Sequence, residues 1–224
     1  MNIAGYIDHT LLKPEATAGQ VMRMCEEAEE FRFASVCVNS CHAETVTGKL
    51  AGSGIATCVV VGFPLGAALT EVKVFEALKA VDLGASEIDM VMNIGALKAG
   101  RTDLLKKDIR SVVYAVERRA IIKVIIECCL LTDREKRMAC EAAVEAGAAY
   151  VKTSTGFGAG GATVEDVKLM KDAVCGRAKI KASGGIRNLA KALAMIDAGA
   201  DRIGTSSGVS IVMEDREKPD LCNL

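Results

Sequence analysis

Lys152 stands alone among uncharged residues. It lies in Tyr150-Val151-Lys152-Thr153-Ser154-Thr155-Gly156-Phe157, and no other charge occurs from Ala146 to Val164. A lysine in such a run either snorkels or is desolvated. A desolvated lysine beside a second cation can shed its proton near neutrality and attack a carbonyl. The alternative is a lysine paired with a core carboxylate, which perturbs charge without chemistry. Lys181, in Ile180-Lys181-Ala182-Ser183, is a second amine at the end of an apolar run. Asp89, in Glu87-Ile88-Asp89-Met90-Val91-Met92-Asn93, suits general acid–base work or the holding of a lysine. It reads equally as a surface residue at a strand end. Asp8, in Tyr6-Ile7-Asp8-His9-Thr10, carries the same two readings, and His9 reads as a structural histidine.

Three glycine-rich segments lie late in the chain: Gly156-Phe157-Gly158-Ala159-Gly160-Gly161, Ser183-Gly184-Gly185-Ile186 and Gly204-Thr205-Ser206-Ser207-Gly208. Backbone N–H groups of such turns, placed before helix N-termini, suit a phosphate. Tight turns alone also require glycine. None of the three ends in Gly-Lys-Ser/Thr, so a P-loop nucleotide triphosphatase is not indicated.

Metal chemistry finds no support in the spacing. The 9 cysteines include no Cys-x-x-Cys pair, and His9 and His42 add no zinc-ligand pattern. An odd number of cysteines set mostly in apolar runs reads as reduced, buried thiols of a cytoplasmic protein. The N-terminus has neither a basic region nor a long apolar segment, so no export signal is expected. Residues 50–70 carry no charge, yet Gly52, Gly54, Gly62, Pro64 and Gly66 break them into strand, loop and helix start rather than a membrane span.

These residues need a scaffold that delivers strand ends to one place. Gly-Ser or Gly-Ala pairs at 52, 84, 147 and 199 precede apolar runs. Their intervals fit a unit of roughly 26–32 residues, the size of a βα repeat. Each glycine fits a left-handed helix C-cap before the next strand. Thr17 with Gln20, Thr132 with Glu135, and Thr163 with Asp166 have capping-box spacing. Leu105, Ile109, Val112, Val113 and Val116 make one face of a helix over 102–118. Nearly continuous apolar runs at 6–10, 34–38, 56–61, 87–91, 123–127, 150–152, 179–182 and 202–204 read as buried parallel strands. Eight such units in 224 residues predict a single (β/α)8 TIM barrel over 1–224. An open doubly wound sheet would need fewer strands, and the first βα turn lacks Gly-x-Gly-x-x-Gly. In a barrel, chemistry belongs at the C-terminal strand ends. Asp89, Lys152 and Gly204 each fall five residues after a repeat glycine, so they occupy related places on three strands.

Composition narrows the partners. Lys plus Arg is 28 and Asp plus Glu is 29, so no basic excess favours nucleic acid or an anionic membrane. Aromatics are 4% with no tryptophan, which speaks against base-stacking surfaces.

The motifs around Asp8, Asp89, Lys152 and Lys181, with Val61-Gly62-Phe63-Pro64-Leu65-Gly66 and Ile186-Arg187, together resemble the deoxyribose-phosphate aldolase family, in order and over nearly the whole chain. The resemblance implies a Schiff-base lysine at Lys152, a second catalytic lysine at Lys181, and a proton-relay aspartate at Asp89. It places Asp8 at a further acidic position on the substrate side, and phosphate contacts at Gly156, Gly184, Gly185, Gly204, Ser206 and Ser207. It further implies a metal-free, cofactor-free class I aldolase acting on a small phosphorylated sugar, and a homodimer or homotetramer. Some members end in a tyrosine that assists proton transfer; residues 219–224 here contain none. A transaldolase-like or isomerase barrel and a non-catalytic sugar-phosphate sensor are the rival readings.

Overall fold

The structure is a computed structural model that describes residues 2–116 and 118–217. Residues 219–224, where a terminal tyrosine was sought, lie outside them. Eight parallel strands close into a barrel in chain order. They are β1 Ile7–Leu11, β2 Ser35–Val38, β3 Ala56–Val61, β4 Glu87–Val91, β5 Ile121–Ile125, β6 Tyr150–Lys152, β7 Lys179–Ser183 and β8 Arg202–Thr205. The surrounding helices are α1 Ala18–Phe31, α2 Ala43–Lys49, α3 Thr70–Asp82, α4 Ile94–Lys98, α5 Thr102–Ala115, α6 Asp133–Glu145, α7 Val164–Val174, α8 Leu189–Asp197 and α9 Gly208–Arg216.

Strand periodicity splits the side chains into two sets. Ile88, Met90 and Met92 of β4 and its end join Val124, Val151, Ile180 and Ile203 in the apolar layer packed beneath the helices. The alternate positions of the same strands carry Glu87, Asp89, Lys123, Lys152, Lys181 and Arg202, which face the barrel axis. The helix-side set is apolar because both helix and sheet must bury it. The axial set is free to carry charge if the charges find partners.

The repeat glycines close the helices as their spacing predicts. At Gly84, Gly147 and Gly199 φ is 95°, 93° and 110°. In each case the glycine N–H and the next N–H bond back into the helix: Gly84 to Val81 and Ala85 to Ala80, Gly147 to Val144 and Ala148 to Ala143, Gly199 to Ile196 and Ala200 to Met195. That is the Schellman pattern, and it redirects the chain into β4, β6 and β8. Thr17 and Thr132 form complete capping boxes with Gln20 and Glu135. Thr163 accepts from the N–H of Asp166, but the aspartate, one methylene shorter than glutamate, does not reach back. Its carboxylate pairs instead with Lys136 of α6 at 2.6 Å.

Two boundaries differ from the sequence pattern. β5 starts at Ile121, where its N–H meets the Ser86 carbonyl, and ends before Glu127, whose φ of 57° turns the chain out of the sheet. Helix α5 stops at Ala115, ahead of a left-handed Arg118. The uncharged segment 50–70 holds β3 and the loop leading to α3, and no helix among the described residues is long and apolar enough to cross a membrane.

Candidate active site

Strand register brings the axial charges to neighbouring heights. Asp89 lies across from Lys123, Ile125 from Lys152, Lys152 from Lys181, and Lys181 from Arg202. Asp89 is the hub. Its Oδ2 accepts from Lys152 Nζ and Lys181 Nζ, each at 2.7 Å. Its Oδ1 accepts from Lys123 Nζ at 2.8 Å and from the Cys58 thiol at 3.2 Å. Behind the hub, Lys181 reaches Asp8 at 2.5 Å and Lys123 reaches Glu87 at 2.6 Å. Arg202 bridges Asp8 and Glu87, and Ser35 donates to Asp8 at 2.7 Å.

Burial alone would push Asp89 upward, but Lys123, Lys152 and Lys181 hold it well below the ordinary carboxylate value. Asp8 is also lowered: Lys181, Lys123 and Arg202 outweigh its burial. For Lys123, Lys181 and Arg202 burial works toward neutrality, and the carboxylates overcome it, so all three are raised. These three cations therefore stay charged. Asp8, Glu87 and Asp89 supply three negative charges against the four cations Lys123, Lys152, Lys181 and Arg202. The layer therefore carries one cation more than its carboxylates.

Lys152 is the member of the cluster that opens outward. It lines a cavity of ≈ 370 Å³ at the C-terminal mouth of the barrel, with Thr10–Lys13, Thr155–Phe157, Ser183–Arg187 and Gly204–Ser206. The cavity thus gathers five of the expected phosphate contacts: Gly156, Gly184, Gly185, Gly204 and Ser206. Ser207 stands next to it as the N-cap residue of α9. Asp8 does not line the cavity; it is fully buried and engaged by Lys181 and Arg202. Asp89 and Lys181 sit immediately behind Lys152. His9 is held by Glu27 of α1 at 2.6 Å and tilts against Phe33, a structural role.

The glycines of 156–161 divide by cause. Gly156 has φ 85° and open space around it, a turn requirement. A Cβ on Gly158 or Gly160 would meet Cys129 at 3.0 or 2.9 Å, and one on Gly161 would meet the Gly184 carbonyl oxygen at 2.2 Å. Those three are bare because neighbouring loops pack closely there, the Cys129 side chain against Gly158 and Gly160 and the Gly184 backbone against Gly161.

Several site residues escape linear reading. Lys123, Glu87 and Arg202 complete the charged layer, and Lys13 and Arg187 add positive charge to the cavity wall. Cys37 and Cys58, on adjacent strands, lie with Asp89 such that one ligand atom of each falls within 4.8 Å of the others. Sequence spacing gave no hint of this trio. It is a poor cation site, since Lys123 Nζ is 3.2 Å from Cys58 Sγ and ammonium groups occupy both Asp89 oxygens. An alternation of charged and apolar residues along β4 was the available signal for the charged layer, while β5 and β8 carry one charge each.

Comparisons with known proteins agree on the family. A family model described as DeoC/LacD family aldolase matches residues 3–213. A deoxyribose-phosphate aldolase from Geobacillus sp. (strain WCH70) is 57% identical over 211 residues, covering 94% of this chain and 95% of that one. Another, from Carboxydothermus hydrogenoformans, is 58% identical over 213 residues, covering 94% and 93%. The tetrameric deoxyribose phosphate aldolase of Aeropyrum pernix superposes with a TM-score of 0.89 at 33% identity, covering 96% of this chain and 91% of that one. A closed barrel with a lysine of its charged axial layer at the mouth is thus found in a chain that belongs to the DeoC/LacD family of aldolases, a lyase.

Proposed function

We propose that the chain cleaves 2-deoxy-D-ribose 5-phosphate, reversibly, to D-glyceraldehyde 3-phosphate and acetaldehyde through a Schiff base on Lys152. The observation that carries this reading is Lys152 itself, the cation of the axial cluster that lines the glycine-rich cavity. In its neutral form Lys152 attacks C1 of the open-chain sugar. The carbinolamine loses water to an iminium. The C3 hydroxyl then gives up its proton, the C3 oxygen forms a carbonyl, and the C2–C3 electron pair flows into the iminium. D-glyceraldehyde 3-phosphate departs. The enamine takes a proton at C2, and water releases acetaldehyde and the amine.

Asp89 accepts from Lys152 at rest, and its depressed pKa keeps it a carboxylate that can pass protons through water near Lys152. Lys181 keeps Asp89 in place and supplies a fixed positive charge beside the iminium. The glycine turns and the N-termini of α8 and α9 grip the phosphate, which is remote from the reacting carbons, so its binding energy positions the sugar. The iminium is the electron sink, so the scheme uses neither metal nor cofactor. The whole chain acts as one barrel unit in the cytoplasm, in breakdown of deoxyribose from deoxynucleosides. It assembles as a homodimer or homotetramer; the Aeropyrum pernix relative is tetrameric.

The test is borohydride reduction in the presence of substrate, followed by mass mapping. An adduct on Lys152 supports the scheme; an adduct on Lys181, or none, refutes it. Activity should also survive exhaustive chelation.

A further inference from the structure

Glu127 is a buried carboxylate that the axial cluster does not use. It is 4% exposed and left-handed, with φ 57° and ψ 69°. A non-glycine residue in that region costs on the order of 1–3 kcal/mol, and such strain collects at functional sites. What it holds is the chain immediately downstream of Lys152. Its Oε2 accepts from the Thr155 hydroxyl, and the Thr155 N–H lies 3.3 Å from the same oxygen. The Thr155 hydroxyl oxygen in turn accepts from the Phe157 N–H at 3.0 Å. The turn at Gly156 is fixed between these bonds.

The contacts continue across the mouth. The strap 156–161 lies on Cys129, two residues beyond Glu127, and a Cβ on Gly158 would sit 3.3 Å from the Glu127 carboxylate carbon. On its other side the strap lies against Gly184, and the Ala162 N–H reaches the carbonyls of Ser183 and Gly184 at 3.0 and 3.1 Å. Three loops are therefore stacked, after β5, β6 and β7, with Glu127 at the far end and the Gly184–Gly185 turn at the cavity.

We propose that Glu127 is a positioning residue for phosphate recognition: it locks the strap so that the Gly156 and Gly184–Gly185 turns converge on one anion. This rests on reading those turns as the phosphate site. Glu127 does not line the cavity and touches no substrate. Its effect passes through Thr155 and the strap.

The experiment compares Glu127→Ala, Glu127→Gln and Thr155→Val on 2-deoxyribose 5-phosphate and on unphosphorylated 2-deoxyribose. Glu127→Ala and Thr155→Val should raise KM for the phosphorylated sugar about 10- to 100-fold, the scale of lost charge-assisted hydrogen bonds, with kcat changed far less. Their kcat/KM for the unphosphorylated sugar should change less than threefold, a margin set by roughly 0.6 kcal/mol. Inorganic phosphate should weaken as a competitive inhibitor in parallel. Glu127→Gln, whose amide oxygen can still accept from Thr155, should recover most of the loss. Equal losses on both sugars, or an unchanged KM in a folded variant, overturns the proposal. Should Glu127→Ala fail to fold, Thr155→Val carries the same split, with Glu127→Gln as the near-normal control. Borohydride trapping on Lys152 in the unaltered protein, run alongside, separates failure of this inference from failure of the Schiff-base reading.

Discussion

Two buried lysines show opposite uses of the same side chain. Lys73, on α3, is completely buried and faces Asp108 of α5 at 2.7 Å. Its second contact is the Val91 carbonyl at 3.0 Å, and Asp108 also accepts from Thr70 at 2.8 Å. One cation meets one carboxylate, every polar atom is engaged, and no cavity reaches either. Lys152 is nearly as buried, but it belongs to a layer with four cations and three carboxylates, and it lines the mouth cavity. Burial and a short ion pair do not distinguish chemistry from structure. Stoichiometry and access do. The balanced pair fixes α3 against α5; the axial layer, with one cation in excess, puts Lys152 on the wall of the mouth cavity.

The largest test of this contrast removes the Lys152 amine. Lys152→Ala should lower kcat/KM by about 10⁴-fold or more, because the covalent route vanishes with it. Its Tm should hold or rise, since the layer keeps three cations for three carboxylates. A large drop in Tm together with retained activity would show that Lys152 is a structural partner like Lys73.

The reverse holds at the other site. Lys73→Met leaves Asp108 buried without its cation and should cost about 3–5 kcal/mol of stability. Measured on the folded fraction, kcat/KM should stay within about twofold. Lys73→Met combined with Asp108→Leu should regain most of the stability in a denaturant titration. A loss of kcat in the folded single variant would tie the helix pair to the chemistry and dissolve the contrast.

Much of the barrel was legible because parallel strands buried on both faces read as short apolar runs, and because glycine marks several of the Schellman turns. Gly84, Gly147 and Gly199 show this directly. Lys152, Lys181 and Asp89 stood out for the same reason, as charges inside otherwise apolar runs. Lys123 and Arg202 did not. Arg202 follows Asp201 at the start of its strand and looks like a surface residue there; Lys123 lies inside Ile121-Ile122-Lys123-Val124-Ile125, but a pattern that starts the strand at 123 puts it at the strand edge. Arg202 and Asp8 are 194 positions apart, and only closure of β8 on β1 makes them partners. Gly158, Gly160 and Gly161 were legible as flexible turns but not as contact surfaces, since the Cys129 and Gly184 atoms that exclude a Cβ come from other loops.

A smaller effect is expected at Lys181, which shares Asp89 Oδ2 with Lys152. Lys181→Leu removes one of the ammonium groups competing for that oxygen. Asp89 then holds the proton on Lys152 more firmly, and the acidic limb of the kcat/KM profile should move to higher pH. The loss at the optimum should be about 10²-fold, within the range for a group that tunes proton transfer. An acidic limb that stays in place would place Lys181 with Lys73, as a balanced structural cation.

The smallest effect tests whether the open side of Lys152 faces an anion. Ser207 is the N-cap residue of α9, next to the cavity turn at Gly204–Ser206. Ser207→Asp keeps a residue favoured at that helix position, so the fold should tolerate it. The added charge would face the phosphate, and repulsion of one to two kcal/mol in a water-like dielectric corresponds to about a tenfold loss of kcat/KM for 2-deoxyribose 5-phosphate. Unphosphorylated 2-deoxyribose carries no charge to repel, so its kcat/KM should change little. The ratio of the two values cancels any general damage to the barrel, which would lower both. A ratio that does not move would place the phosphate elsewhere. The mouth glycines would then be explained by packing alone, as Gly158, Gly160 and Gly161 already are.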